Sequence, residues 1–350
     1  MKTALFDYAL PEALIAQRPL ASRSGARLLV LGPELLHRHV EQLPDLVPEG
    51  ALLVLNDTRV RRARLLGTRR PNAGRVELLL LSREPEPSSD GRERWQALGR
   101  ASKPLRPGTW IDAGELAIEV LQREADGSLL VAVACRGTVE SAIERAGRLP
   151  IPPYMRRNDD DGDDERYQTI YARRAGSAAA PTAGLHFTEA LLERLQRRGV
   201  QLGYLELQVG LGTFRPVSAE DLNDHSMHAE AFEVSAALAQ AVRSAREREA
   251  KVVAVGTTVV RALESAADPA SPGLVHETRA STRLMIQPGY RFQVVDALFT
   301  NFHQPRSTLL ALVAAFAGYE AIMTAYAEAV REQYRFLSYG DAMWIPRRGS

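Results

Sequence analysis

The sequence predicts an α/β body interrupted by a small inserted antiparallel β domain. Short apolar runs at 51–55, 201–209, 251–255 and 290–298 each end in polar or Gly-containing stretches, as buried strands of an α/β sheet do. Between 61 and 150 the pattern changes to β-like runs at 75–82, 94–100, 116–122 and 129–134, separated by Pro- and Gly-rich turns. That spacing suits a small barrel or sandwich. The body's own pattern resumes afterwards, so the body is read as 1–60 plus 151–350 and the insert as 61–150.

A chain of 350 residues has room for two domains. Its 45% apolar and 25% charged residues are ordinary for a globular protein. A net charge of +1 carries no general basic surplus, so any nucleic-acid surface has to be a local patch. Cys135 is the only cysteine, which excludes an intramolecular disulfide or a cysteine-built zinc site and fits a reducing cytosol. The N-terminus has Asp7 and no apolar signal-peptide core. The apolar run at 309–317 is far shorter than the ~18 residues of a membrane span. A cytoplasmic monomer without a membrane partner is expected.

In chain order, 11–17 reads as a short helix with Pro at its start. The run at 51–55 leads into Asn56-Asp57-Thr58-Arg59, the strand end at which α/β proteins place ligand contacts. Asp57 is therefore a candidate, set against a plain turn acid. Arg59, Arg61, Arg62, Arg64, Arg69 and Arg70 cluster at the entry to the insert, either to grip phosphates or as a solvated face. Residues 149–154 form a stiff, Pro-rich exit. The acids of 158–165 suggest a mobile loop without calcium-loop spacing. Residues 173–179 read as flexible.

The stretch 180–188, Ala-Pro-Thr-Ala-Gly-Leu-His-Phe-Thr, delivers His186 beside Gly184 and then a helix over 189–199. Gly184 permits unusual backbone shapes or a close ligand. Thr188 is placed to cap the helix, which would hold His186 near a helix N-terminus suited to an anionic group. On this stretch alone, a packed loop histidine is an equal reading. The strand at 201–209 runs into Gly210-Leu211-Gly212-Thr213-Phe214, which permits close approach but is no dinucleotide fingerprint. His225, His228 and Glu230 would make a metal site only if His186 or His303 joined them, and no metal is expected.

Next come a helix at 235–249, a strand at 251–255, and Gly256-Thr257-Thr258 opening a helix at 259–266. Thr257, Arg261 and Glu264 share one helix face, starting at a strand's C-terminal end. Residues 268–288 are loop-rich, and 290–298 is strand-like with Asn301 and His303 just beyond it. Ser307 or Thr308 caps the helix from Leu309. A second helix spans 320–334, and the aromatic tail 334–344 should dock on the body.

Several of these stretches resemble one family along nearly the whole chain. They are Phe6-Asp7-Tyr8 with 14–17, 55–60, 166–169, 180–188, 209–214, 255–258 with 261–265, 300–303, 307–310 and 339–343. The family is the S-adenosylmethionine:tRNA ribosyltransferase-isomerases of queuosine biosynthesis; the number and order of the stretches carry the resemblance. Gln208 stands where that family usually has His, so no chemistry is expected at 208. Ala229 replaces a usual Ser, 279–287 lacks an acid, and the acids at 159–164 look like an elaboration.

The resemblance implies a barrel-like α/β body with an inserted small antiparallel β-barrel. It implies S-adenosylmethionine as a consumed ribosyl donor, hence no cofactor. The acceptor is 7-aminomethyl-7-deazaguanine at the tRNA wobble position; the products are epoxyqueuosine-tRNA, adenine and methionine. On that reading His186, His303 and Glu230 are acid–base candidates, and Asp57 orients a ribose hydroxyl or the acceptor amine. Thr182, Gly184, Gly210, Gly212, Thr213, Phe214, Gly256, Thr257, Thr258, Glu264, Asn301, Tyr339 and Asp341 line the substrates. Arg261 grips the methionine carboxylate bidentately. Arg59, Arg61, Arg62, Arg64, Arg156 and Arg173 form the tRNA track. The rivals are a metal-dependent hydrolase using His186, His225, His228 and His303, and a tRNA-binding module without catalysis.

Overall fold

The computed structural model describes residues 1–125, 127–157, 159–160, 162–210, 217 and 219–347. In chain order its strands are β1 (Arg27–Val30), β2 (Leu36–His39), β3 (Leu52–Asn56), β4 (Thr58–Val60), β5 (Arg64–Arg69), β6 (Arg75–Arg83), β7 (Glu93–Ala101), β8 (Trp110–Ala113), β9 (Leu116–Arg123), β10 (Leu129–Ala134), β11 (Arg174–Ser177), β12 (Gln201–Leu207), β13 (Glu230–Val234), β14 (Val252–Val255), β15 (Thr278–Thr282), β16 (Ala297–Asn301) and β17 (Ala342–Pro346). Its α-helices are α1 (Leu43–Leu46), α2 (Val139–Ala146), α3 (Asp163–Arg166), α4 (Glu189–Arg197), α5 (Ala236–Glu247), α6 (Thr257–Ser265), α7 (Thr308–Ala317) and α8 (Tyr319–Arg331).

The body is built on one mixed sheet, ordered β15-β13-β12-β3-β14-β16-β17-β1-β2. The neighbours β12–β3, β3–β14, β14–β16 and β17–β1 run parallel. Alternate residues of the central strands enter opposite cores, as a period of two requires. Leu52, Val54, Val252, Ala254 and Leu298 pack with side chains from α5 to α8. Leu53, Leu55, Val253, Val255 and Phe299 pack with Leu191, Leu192 and Leu195 of α4. Burial on both faces explains why β3 and β14 read as unbroken apolar runs.

The tail does more than dock. β17 pairs antiparallel with β16 and parallel with β1, so it lies inside the sheet.

The insert's six strands β5 to β10 close into a barrel around Trp95, Leu65, Ile118 and Val131. α2, capped by Thr138, packs Ala142 and Ile143 onto that core. The α/β class and the inserted barrel are as the sequence predicts; closure belongs to the insert, whereas the body sheet keeps a linear order. The short strands β5 and β8 carry too little apolar alternation to read in advance.

Other expectations need correction. The helix at 11–17 is a single 3-10 turn, Glu12–Leu14, because Ile15 leaves it to bridge Phe336. The flexible stretch at 173–179 contains β11, which pairs with β4 at the junction of insert and body. Residues 290–296 form no strand: the Glu264 carboxylate takes the N–H groups of Gln293, Val294 and Val295. Among the described residues no single helix is long and apolar enough to cross a membrane; only α7 and α8 together pass by composition, and they are bent by 116°.

Candidate active site

A cleft of about 620 Å³ opens at the C-terminal ends of β14 and β16. Thr182, Gly256, Thr257, Thr258, Asn301 and His303, all predicted from sequence, line it together. Each arrives for a local reason. Gly256 has φ 92°, a left-handed conformation that favours glycine, and turns β14 straight into α6. The first N–H groups of α6 have no intrahelical partner and open at this end. Thr182 sits in the 3-10 segment Thr182–His186, whose Ala183 lies 3.6 Å from where a Cβ on Gly256 would be. Ser307 caps α7 through the Leu310 N–H at 3.1 Å, so a second helix start also borders the cleft.

His303 is held by its backbone. Its N–H donates to the Tyr326 hydroxyl at 2.9 Å and its carbonyl accepts from Tyr8 at 2.5 Å. Its Nε2 meets Thr300 Oγ1 at 3.1 Å. Burial pushes the imidazole pKa down to about 3, so the ring is neutral. Asn301 Nδ2 donates to the carbonyls of Leu337 and Ser338 at 2.9 and 3.3 Å. That leaves Asn301 Oδ1 and Thr258 Oγ1 buried without hydrogen-bond partners. Buried polar atoms of this kind are normally satisfied; Asn301 Oδ1 is turned toward the His186 ring, and Thr258 Oγ1 is the one left for ligand or water.

His186 stands outside the cleft. It lines a smaller recess of about 290 Å³ with Arg23, Arg166 and Tyr339, and Ser338 borders both spaces. Its ring meets Phe299 edge-on at 5.7 Å, and its Nε2 has no partner. Burial lowers its pKa to about 4, with the Asn301 side chain opposing the shift. Gly184 makes room for a side chain rather than a substrate: a Cβ there would lie 2.2 Å from the Tyr171 hydroxyl.

Glu230 and Arg261 form a buried ion pair, each side chain 5% exposed. Glu230 Oε1 also accepts the Gly210 N–H at 3.0 Å, and Arg261 Nε donates to the Leu284 carbonyl at 3.1 Å. The expected bidentate clamp on a substrate carboxylate is therefore corrected, since only Arg261 Nη2 lacks a partner. Glu230, committed to a guanidinium and a backbone N–H, is not placed as a general base, and Gly210 offers its N–H to Glu230. This pair lines a recess of about 320 Å³ with His225 and His228, which adjoins the cleft at Leu309. Neither His186 nor His303 reaches it. Among the described residues no group of three His, Cys, Asp or Glu side chains is arranged to hold a metal.

Three further predicted contacts are structural. Glu264 anchors the 293–295 backbone and accepts from Tyr290 at 3.3 Å. Asp341 joins the Arg27 N–H at 2.8 Å to the Arg335 N–H at 2.7 Å, tying β1 to the tail. Tyr339 donates to Asp163 Oδ1 at 2.9 Å. Gly212, Thr213 and Phe214 lie outside the described residues.

Asp57 is buried at the end of β3, with Oδ1 unpartnered and its pKa raised by desolvation. It faces a separate crevice of about 680 Å³ with Arg173, Tyr204 and Glu206. Of the arginines expected on a tRNA track, Arg59 is exposed and Arg173 lies 4.9 Å from the Tyr204 ring centroid. The others are already paired: Arg61 with Glu140, Arg62 with Asp164, Arg64 with Glu77 and Asp159, and Arg156 with Glu12. Four of the six expected arginines are thus ion-paired within the chain. Sequence reasoning missed Tyr154, Thr300 and Ser338 in the cleft. Of these, Thr300 was within reach, three residues before His303 and on the same strand end.

The model of a family described as queuosine biosynthesis protein matches residues 3–345. An S-adenosylmethionine:tRNA ribosyltransferase-isomerase of Sorangium cellulosum is 52% identical, covering 99% of this chain and 98% of the relative. One of Anaeromyxobacter dehalogenans is 51% identical over 99% of this chain and 100% of its own length. The crystal structure of an S-adenosylmethionine tRNA ribosyltransferase from Thermotoga maritima is 34% identical, with a TM-score of 0.55 over 97% of this chain and 99% of that one. With its fold, its motifs and its full-length relatives in agreement, the chain belongs to the queuosine biosynthesis protein family.

Proposed function

We propose that this protein is an S-adenosylmethionine:tRNA ribosyltransferase-isomerase. It transfers and isomerises the ribosyl part of S-adenosylmethionine onto 7-aminomethyl-7-deazaguanine at the tRNA wobble position. Family membership supports the reaction. The observation that supports the place is the convergence of Thr182, Gly256–Thr258, Asn301 and His303 on one cleft at the strand ends.

The sulfonium acidifies the ribose carbon beside it. Loss of a proton from that carbon gives a ylide, whose electron pair forms a C4′=C5′ double bond as the ring C4′–O4′ bond breaks; the freed oxygen becomes an aldehyde at C1′ as adenine leaves. The aminomethyl nitrogen adds to C4′ and restores the ylide, C5′ then attacks the C1′ aldehyde to close the carbocycle, and the resulting alkoxide displaces methionine from C5′ to form the epoxide. Such intermediates need a site that keeps water out, and Ala180, Pro181, Val209, Phe302, Leu309 and Leu337 supply apolar wall between the cleft's polar side chains. His303, neutral and lining the cleft, is placed to hydrogen-bond a substrate hydroxyl, while burial keeps it a weak base. Thr258 Oγ1 is an acceptor for a ligand N–H or O–H group, and the start of α6 suits an anionic or electron-rich group. His186, one layer behind Asn301, positions rather than reacts. Arg261 Nη2 is left to take one carboxylate oxygen of the methionine part.

The test is to mix the protein with S-adenosylmethionine and tRNA bearing the aminomethyl base. Adenine and methionine should appear in equal amounts. Tight tRNA binding without adenine would instead establish a binding module and overturn the reading.

A further inference from the structure

Asp159, Asp160, Asp163 and Asp164 take no part in the reaction as written above, yet each has an arginine partner. Asp159 lies 3.3 Å from Arg64 and 3.9 Å from Arg148. Asp160 lies 2.6 Å from Arg18 and 3.7 Å from Arg157, and Asp164 pairs with Arg62. Asp163 differs in kind. It is buried and accepts from both Arg157 Nη atoms at 2.6 and 2.8 Å, from the Asp160 N–H at 3.0 Å and from Tyr339. One acid therefore bolts the segment to the body, Asp160 and Asp164 reach the solvent-facing guanidinium groups of Arg18 and Arg62, and Asp159 lies between the half-buried Arg64 and the exposed Arg148. Side-chain exposure is 68% for Arg18, 52% for Arg148 and 37% for Arg62.

These arginines meet at one seam, where the chain enters and leaves the barrel: Arg64 and Arg148 exchange backbone hydrogen bonds there. So many like charges repel unless an anion lies among them. Exposed carboxylate pairs are individually weak and exchangeable. Arginine also binds phosphate in the same bidentate manner as carboxylate. We propose that this seam is a docking surface for the tRNA sugar-phosphate backbone, and that Asp159, Asp160 and Asp164 occupy it intramolecularly until RNA displaces them. The proposal rests on the tRNA-acceptor reading above. Being tethered at Asp163, the acids compete at a high effective concentration. An RNA that offers phosphates alone is disfavoured, whereas the acceptor tRNA adds the contacts of its wobble base in the cleft.

The experiment compares the full-length protein with an Asp159→Asn, Asp160→Asn, Asp164→Asn variant, Asp163 being left intact. Affinities for acceptor tRNA and for poly(U) are measured by fluorescence anisotropy at several salt concentrations. Removing three intramolecular competitors should tighten poly(U) binding by roughly tenfold at low salt and steepen its salt dependence. Arg62→Ala in the wild-type background should weaken tRNA binding by severalfold. A folded triple variant with unchanged or weaker poly(U) affinity overturns the proposal, as does unchanged tRNA binding by Arg62→Ala. Should the triple variant fail to fold, Asp164→Asn alone, which frees Arg62, must still tighten poly(U) binding by about twofold; no tightening overturns the proposal. Wild-type adenine release separates the two levels: without it the enzymatic reading falls, and with it an unchanged poly(U) affinity defeats the docking surface alone.

Discussion

Replacing Gly184 by Ala tests how tightly the loop beside the cleft is built. Its φ is not left-handed, so no backbone strain is added. The cost is steric: the new methyl would lie 2.2 Å from the Tyr171 hydroxyl, 2.7 Å from Thr169 Cγ2 and 3.2 Å from Tyr171 Cζ. Tyr171 is buried in the core with Phe187 and Leu191, so moving its ring disturbs their packing. Something must shift by roughly an ångström, which places the cost near the upper end of overpacking, about 3 kcal/mol. Tyr171→Phe alone should be close to neutral, because the hydroxyl it removes has no hydrogen-bond partner. In the double variant the worst contact disappears but the Thr169 contact stays. The two changes should therefore couple favourably by about 1 kcal/mol, within the range for residues in contact. Urea denaturation of the four proteins gives the cycle. Adenine release should fall with Gly184→Ala, since the displaced segment carries Thr182 and Ala183 into the cleft. A Gly184→Ala protein within about 0.5 kcal/mol of wild type, or an additive cycle, would refute the packing argument.

Glu230→Gln should destabilise the fold by about 3 kcal/mol or more, because it leaves the Arg261 charge buried and unpaired. Glu230→Gln combined with Arg261→Met should recover much of that loss; equal urea midpoints for the single variant and wild type would contradict it. Buried His186 and His303 have pKa values lowered to about 4 and about 3, below an unfolded value near 6.5. Their contribution to stability is complete above pH ~6.5 and is lost as pH falls toward those values, by up to about 1.4 kcal/mol per pH unit each. Melting temperatures at pH 7 and pH 5 should differ clearly, and a His186→Gln, His303→Gln protein should show a flatter profile; parallel profiles would count against neutral burial. Glu264→Ala removes the acceptor of three backbone N–H groups and should cost about 3 kcal/mol or more in thermal unfolding.

The sequence was most readable where local pattern and burial agree. β6, β9 and β10 fall almost where alternation places them, and the apolar runs of β3 and β14 mark the sheet centre. The site was legible as strand ends: Gly256, Asn301 and His303 do share a cleft. What sequence alone cannot show is which of several strand-end residues point into the same space. Thr257, Arg261 and Glu264 share a helix face, but one lines the cleft, one pairs with Glu230 and one holds a loop. The arginines misled for the same reason. Their acids lie 13 to 144 residues away in sequence, so a run of positive charge was visible and its neutralisation was not. The loop at 290–296 has the apolar pattern of a strand, but a distant carboxylate, rather than a neighbouring strand, satisfies its backbone.

β17 has a consequence for how the molecule is made. β1 has only β2 and β17 beside it, so its hydrogen bonds on one side wait for residues some 300 positions later. Before 342–346 leave the ribosome, β16 and β1 both present open edges, and unpaired edges invite pairing with other chains. Leu337 and Ser338, which hold Asn301 against the cleft, arrive in the same last stretch. The inserted barrel closes within its own sequence and can form early, whereas the cleft waits for residues 337 and 338. A nascent chain would therefore carry a folded barrel long before it could bind a substrate.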